Sequence, residues 1–560
     1  MTIPAVWFNG SRGIWDHQML IDMFLGTLSK IPRRFEYNEI VRPGYNLPED
    51  VKGGILVVQA RCHVGEADYI KSQLDRWNWS ILICAGDEEA SFPWRKLEAG
   101  NRLIWAQCPM PPTHDDADYY IPTGARPTTR EVIRQLWTED EPWPDERGTM
   151  FMFAGQNMNE ERNRCMNVLS TIPGGNIKIS NGFGQGIPYI EYLTQMLDAK
   201  IVVSPSGNYT PDCFRAFEAM ECGALPINSR HSAFQPDFFN YWDYIDRFSP
   251  LPTRLKSVVA WSEFREMLLA YQQDPVSLQH DTNSAGAWWL AKKREMAARL
   301  QDDVMRLSGT SPEHTTTLRD RVTVLMPTNC IGDHPSTAII EDSIRRIRAY
   351  PLMADCEILV MVDALRPEQA DRRADYEEYK RKLIWLCNWH PDFQGVLPVL
   401  FENHSQQAEM AKRVLPMVRT PLVFYVEHDT YPMGEIRFDQ IADSLMAYDS
   451  VNCIRLHNFD RILPEHEYLY TDCKPVEIHG CPVVKTTAWS QRPHMAKATT
   501  YARWLEDYTT PGQNIFIEHA LYGKSVNSPW ETFKCAIYSP TGGDILRSGH
   551  TDGRKGKVPS

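Results

Sequence analysis

At 560 residues, 43% hydrophobic and 23% charged, the chain has the make-up of an ordinary globular protein and is too long for a single core; three or more folding units are expected. A net charge of −13 excludes a broad basic face for nucleic acid, though not a local basic groove. Thirteen cysteines scattered singly, without a CxxC pair, exclude a disulfide framework and read as buried thiols of a reducing compartment.

Short β-rich runs alternate with amphipathic helical stretches along the whole chain, the pattern of α/β domains with parallel sheets. Ala5–Phe8 opens the first unit as a strand, followed by a helix near Asp16; Gly54–Val58 and Ser80–Cys84 are its next strands. Residues 111–149 are rich in Pro, Asp and Thr, with a hinge at Asp140–Asp145. Fresh strands start at Thr149 and Ile201, and a long amphipathic helix spans Ser284–Leu307. Polar residues from Ser308 make a linker, after which Arg321–Pro327 begins a further α/β unit, with Glu357–Val362 as its second strand. The expected division is two lobes at 1–145 and 146–308, a linker at 309–320, a third domain at 321–545 and a disordered basic tail at 546–560. No apolar stretch approaches the roughly 20 residues of a membrane span, and the N-terminus lacks a signal peptide's features. A cytoplasmic protein without a membrane partner is expected.

Candidate chemistry clusters in the third domain. The strand ending at Thr328 and the strand running into Asp363 expose their carboxyl ends, the usual ligand face of an open α/β sheet. The apolar strand Pro421–Val426 ends in Glu427-His428-Asp429, whose two carboxylates, at i and i+2, can face the same side. Such a pair suits a divalent cation that neutralises a leaving diphosphate. From Val322 to Asp429 these segments resemble the family-2 glycosyltransferases of GT-A fold, with Glu-His-Asp standing for the usual Asp-x-Asp; the resemblance extends over residues 320–540. It implies a nucleotide-sugar donor with Thr328 and Asp363 on the donor side. It also implies manganese or magnesium at Glu427 and Asp429, and inversion at the sugar carbon. Where the family carries a Glu-Asp pair, this chain has Glu518-His519. Either can accept a proton, with Glu518 the preferred base and His519 an added metal or phosphate ligand.

The segment Ala488–His494 gathers Trp489, Gln491, Arg492 and His494, a set suited to acceptor or phosphate binding; the plainer alternative is a Trp anchoring a loop with Arg492 on the surface. It lacks the Gln-x-x-Arg-Trp pattern of processive polymer synthases. Asn403, His404, Gln406 and Gln407 could approach the donor or simply start a helix. His457, His466, Cys473 and His479 are close in sequence but show no recognised zinc spacing.

Upstream, Phe151–Gln156 enters a glycine turn followed by Arg162 and Arg164 at a helix start; Ser206-Gly207 and a helix bearing Arg215 and Glu218 at i and i+3 come later. Over residues 149–230 this resembles the nucleotide-binding lobe of exostosin-like glycosyltransferases of GT-B fold. The resemblance implies a donor site lined by Arg162, Arg164, Ser206, Arg215 and Glu218, in a GT-B-like pair of Rossmann-type lobes preceding the GT-A domain. Arg12, Asp16 and His17 could meet an acceptor.

Three functions follow: two transferase modules, one active GT-A module with an acceptor-binding GT-B half, or a nucleotide-sugar-binding protein without turnover. Acceptor classes include protein, small metabolites and glycans. The fused layout also resembles some virus-encoded enzymes that glycosylate hydroxymethylated pyrimidines in DNA, which adds modified DNA to the acceptors considered.

Overall fold

The structure, a computed structural model, describes every residue except 1–4, 10–33, 38–50, 60–63, 87–90, 110–116, 127, 137–142, 145, 183–184, 208, 232–239, 248–253, 310–316, 448–450, 462–463, 472–473, 511, 540 and 552–560. Arg12, Asp16, His17, Cys473 and most of the expected hinge and linker lie outside the described residues. The chain forms two compact units, Met1–Glu313 and His314–Ser560. Both are α/β with Rossmann-like parallel sheets, as the alternating pattern predicts. No described helix is long and apolar enough to cross a membrane. Every described cysteine is free, and most are buried.

The N-terminal unit holds two parallel sheets. The first is built from β1 (Ala5–Asn9), β2 (Arg34–Tyr37), β3 (Gly53–Gln59), β4 (Trp79–Ala85), β5 (Arg102–Gln107) and β6 (Tyr119–Ile121), in the order β2-β1-β3-β4-β5-β6. The second is built from β7 (Thr149–Gln156), β8 (Gly175–Ser180), β9 (Ala199–Ser204), β10 (Leu225–Ser229) and β11 (Lys256–Val258), in the order β11-β10-β9-β7-β8. The strand order of the second sheet reverses between β7 and β9, where doubly wound sheets open a crevice at the carboxyl ends of their strands. Runs such as Ile81–Ala85 and Ile201–Val203 are buried throughout, because helices cover both faces of a parallel sheet. One apolar core links the two sheets, and the helix Pro275–Ser308 seals it with Trp288 and Trp289. The Trp289 ring lies 4.8 Å from Phe217, and Tyr119 of the first sheet donates to Glu295 of this helix at 2.5 Å.

The C-terminal unit carries β12 (Val322–Thr328), β13 (Glu357–Val362), β14 (Val396–Leu400), β15 (Leu422–Tyr425), β16 (Thr430–Pro432), β17 (Cys453–Arg455), β18 (Val476–Ile478), β19 (Cys481–Thr486), β20 (His494–Lys497), β21 (Cys535–Tyr538) and β22 (Ser548–His550). Nine of these form one sheet in the order β14-β13-β12-β15-β20-β17-β21-β19-β18, parallel from β14 to β15. β20 runs antiparallel to both β15 and β17. The carboxyl ends of β12, β13, β15 and β17 therefore share an edge with the amino end of β20.

The expected disordered tail is corrected in part. Ser548–His550 is a strand antiparallel to β16, and Arg547 is buried, its Nε and Nη2 each 2.8 Å from an Asp460 carboxylate oxygen. The basic look of the segment comes partly from a guanidinium that serves an internal ion pair.

Candidate active site

The edge of the nine-stranded sheet gathers most of the expected C-terminal residues. After β15 the chain turns tightly: Thr430 donates its backbone N–H to the Glu427 carbonyl at 3.0 Å, and its hydroxyl accepts from the Glu427 N–H at 3.1 Å. The alternation of an extended strand end survives in this turn. His428 is buried, its backbone N–H bonded to Pro327 O at 3.2 Å, while Glu427 and Asp429 reach the surface on the other side.

The two carboxylates are differently furnished. Glu427 Oε1 accepts from Gln491 Nε2 at 2.6 Å and from Gln407 Nε2, and its other oxygen takes no hydrogen bond among the described residues. Burial and then the negative Asp429 push the Glu427 carboxyl above its ordinary range, against the pull of the two amides. Burial acts the same way on Asp429, but the His550 ring, 3.3 Å from Oδ2, outweighs it and holds that carboxyl below its ordinary value. His550 was not foreseen; it arrives on β22, and no local pattern ties it to Asp429.

Gln491 is the joint of this edge. Its Nε2 bonds Glu427 and Gln407, and its Oε1 accepts from the backbone N–H of Glu518 at 3.3 Å. Glu518, half-buried, opens the helix Ile517–Val526, with its backbone held by the same amide that holds Glu427. His519 is exposed and packs edge-on to Phe516, apart from the carboxylates.

Other expected residues are displaced from the roles given above. Asp363 is 1% exposed. Its Oδ1 accepts from the backbone N–H of Ser405 at 2.8 Å and its Oδ2 from that of Gln406 at 3.0 Å, with His404 Nδ1 at 2.9 Å. Gln406 takes a φ of 56°, a strained turn for a side-chain-bearing residue that this carboxylate clamp sustains. The Asp363 carboxylate therefore fixes the start of the helix Gln406–Val414, and with it Gln407, rather than facing a nucleotide. Thr328 is buried too, its hydroxyl 3.1 Å from that of Tyr379. Trp489 and His494 are core residues: the His494 ring stacks on Tyr425 at 5.2 Å, bonds Tyr501 and the Arg492 carbonyl, and meets Trp489 edge-on. Of the Ala488–His494 group only Gln491 and Arg492 belong to the edge.

Among the described residues no set of three or more His, Cys, Asp or Glu is arranged to hold a metal ion, and that includes His457, His466 and His479. Glu427 and Asp429 nonetheless fit a hard cation such as manganese or magnesium, which takes oxygen donors, keeps waters and accepts substrate phosphates, so that one or two carboxylates suffice.

In the N-terminal unit, Arg162, Ser206 and Arg215 meet at the β7–β9 reversal. Arg162 donates to the carbonyls of Ser206 and Gln156 at 2.9 and 3.0 Å. Arg215 donates twice to Ala154 O, at 3.0 and 3.2 Å, lying against Gly155, where a Cβ would collide with the guanidinium. The Ser206 hydroxyl and Gln156 Nε2 are buried without hydrogen-bond partners among the described residues. Two expected residues are elsewhere. Arg164 is exposed and pairs with Glu160 one helical turn away. Glu218 is fully buried, accepting from the Tyr189 and Tyr192 hydroxyls at 2.9 Å each and ion-paired with Arg126 at 3.1 Å, so its carboxylate is not offered to a ribose. After the helix that bears Arg215 and Glu218, Gly223 takes a φ of 67° and leads into β10.

No protein-family model matches the chain, and no curated protein matches it. Among solved structures, it is similar to a mannosyltransferase from Pyrobaculum calidifontis in complex with GDP-mannose and Mn2+, at 14% identity and a TM-score of 0.26, over 45% of this chain and 67% of that one. A UDP-glucose pyrophosphorylase complexed with UDP-glucose matches at 10% identity and a TM-score of 0.25, over 40% of this chain and 91% of that one. Protein A197 from STIV matches at 10% identity and a TM-score of 0.22, over 41% and 85%. Likenesses this slight say nothing about what the present chain binds; its own side chains carry the argument.

Proposed function

We propose that the C-terminal unit transfers a glycosyl group from a nucleoside diphosphate sugar to an acceptor hydroxyl. The observation that supports this most directly is the Gln491 amide, which ties Glu427 and the Glu518 backbone together, so that a paired-carboxylate cation site and a separate base share one sheet edge. In this reading Glu518 takes the proton of the acceptor hydroxyl. The hydroxyl oxygen bonds to the anomeric carbon as the bond from that carbon to the diphosphate oxygen breaks, and the configuration inverts. Manganese or magnesium bound by Glu427 and Asp429 would supply charge neutralisation on the departing diphosphate. Gln491 and Gln407 orient Glu427, and Asp363 fixes Gln407.

The test is release of nucleoside diphosphate from a panel of nucleotide sugars, with manganese or with EDTA. Release is expected to need the metal and to vanish in Asp429→Ala. Full metal-dependent release by that variant would sink the assignment.

For the N-terminal unit, binding of a nucleotide sugar at the β7–β9 reversal is the reading that Arg162, Arg215 and the unpartnered Ser206 hydroxyl favour. EDTA-resistant release lost in Arg215→Gln would make this half a second transferase. Binding without release would make it a platform. A hydroxymethylated pyrimidine in DNA remains among the acceptor classes, and acceptor binding that falls steeply with added salt would single it out.

A further inference from the structure

Beyond the acidic pair, the same edge carries a cationic group that has no counter-charge among the described residues. Arg455 ends β17 and is 5% exposed; one of its Nη atoms donates to the Ala488 carbonyl at 3.0 Å, and its Nε has no hydrogen-bond partner among the described residues. His457, two residues on, is 8% exposed, and neither ring nitrogen has a hydrogen-bond partner among them. Arg492, just before β20, reaches Asn458 Oδ1 at 3.0 Å and Ser548 Oγ at 3.4 Å. The His466 ring lies 5.8 Å from that of His457. Among the described residues no carboxylate stands within ion-pair distance of either guanidinium, and Glu518 attracts Arg492 only from farther off. Burial, then Arg455, Arg492 and His466, press the His457 ring down to about 3, so it is neutral and has an N–H to give.

Burying the Arg455 guanidinium near the half-buried Arg492, with no acidic partner among the described residues, is expensive, and a ligand can provide the missing charge. Two guanidinium groups close enough to act on the His457 ring, together with its N–H, suit the several acceptor oxygens of a phosphate. Position indicates its source. His494 pairs with Tyr425 on one side and with Arg455 on the other, so β20 separates the β15 carboxylates from the cationic group. The order β12-β15-β20-β17 then sets that group on the flank of Glu427 away from Thr328 and Asp363.

We propose that Arg455, His457 and Arg492 form a subsite for a phosphate group carried by the acceptor. The inference rests on reading this edge as a transfer site, but its test does not. Inorganic phosphate is titrated calorimetrically into the full chain in EDTA, at ionic strength matched with chloride. Binding is expected in the wild type and in Asp429→Asn, and is expected to weaken about tenfold or more in Arg492→Gln and in His457→Leu. Equal binding in all four proteins overturns the proposal. So does loss in Asp429→Asn alone, which would place the phosphate on the donor side. Should the variants fold poorly, wild-type Arg492 can be treated with an arginine-selective dicarbonyl and followed by peptide mass. Protection by phosphate is expected, and undiminished modification overturns the proposal. Metal-dependent donor release is scored separately with Asp429→Ala, so failure of the subsite and failure of the transfer reading are distinguishable.

Discussion

Replacing Gln491 with Leu keeps the volume of the side chain and removes the amide that joins the two halves of the acidic edge. Glu427 loses a 2.6 Å donor to Oε1, and Gln407 loses a neighbour that helps to hold it there. A hydrogen bond to a charged group contributes about 1.5–3 kcal/mol, and about 1.4 kcal/mol corresponds to one pH unit in a titration. The Glu427 carboxyl already lies above its ordinary range, through burial and through Asp429. Losing a donor that favours the ionised form moves it further up. The acid limb of the pH–rate profile for metal-dependent nucleoside diphosphate release should therefore rise by about one to two pH units. Saturating manganese should recover part of the activity, because cation and proton compete for the same oxygens. A merely structural Gln491 would lower the rate equally at every pH. An acid limb that stays in place while the rate falls would refute the reasoning.

Three further outcomes are expected. Glu218→Gln leaves Arg126 without its buried counter-charge; as Arg126 is partly exposed, about 1–3 kcal/mol should be lost from the N-terminal unit, read as a lower Tm, with metal-dependent release unchanged. Arg547→Met breaks a pair whose side chains are 3% and 0% exposed and should cost about 3–5 kcal/mol in denaturant unfolding of the C-terminal unit. Burial raises Asp460, but Arg547 and Thr541 overcome it and hold the carboxyl below its ordinary value. Its stabilising contribution is therefore present above an unfolded-state pKa of about 3.9 and lost as pH falls through the folded one. The denaturant midpoint of Arg547→Met should accordingly depend less on pH below about 4 than that of the wild type.

What the sequence displayed was local. The strands at Ile55–Val58, Ile81–Cys84, Phe151–Phe153 and Ile201–Val203 were readable because a parallel sheet covered on both faces asks for unbroken apolar runs. The same-side placement of Glu427 and Asp429 followed from the two-residue period of an extended chain. What stayed hidden depended on partners far along the chain. Asp363 looked like a nucleotide contact because strand-end carboxylates often are, whereas the amides that occupy it belong to Ser405 and Gln406. Trp489 and His494 looked like a binding platform, yet Tyr425 and Tyr501 claim their rings for the core. Glu218 was consumed by Tyr189, Tyr192 and Arg126 in the same way. His457 drew notice only as part of a run without zinc spacing, and Arg455 was not singled out. That the Arg455 Nε and the His457 ring take no hydrogen bond among the described residues is a property of the folded neighbourhood, which no local pattern announces.

The strand β22 returns to the turn that follows β15, where Thr551 N–H bonds the Asp429 carbonyl at 2.7 Å and His550 stands beside its carboxylate. During synthesis the nine-stranded sheet can close once β21 has left the ribosome, but Asp429 has no imidazole beside it until residue 550 emerges. The half of the edge proposed to hold the cation is thus finished after the scaffold that carries it. A chain that stopped between residues 540 and 547 would keep the strands of the nine-stranded sheet but lack the imidazole beside Asp429, and its carboxylates would form an unmatched acidic pair.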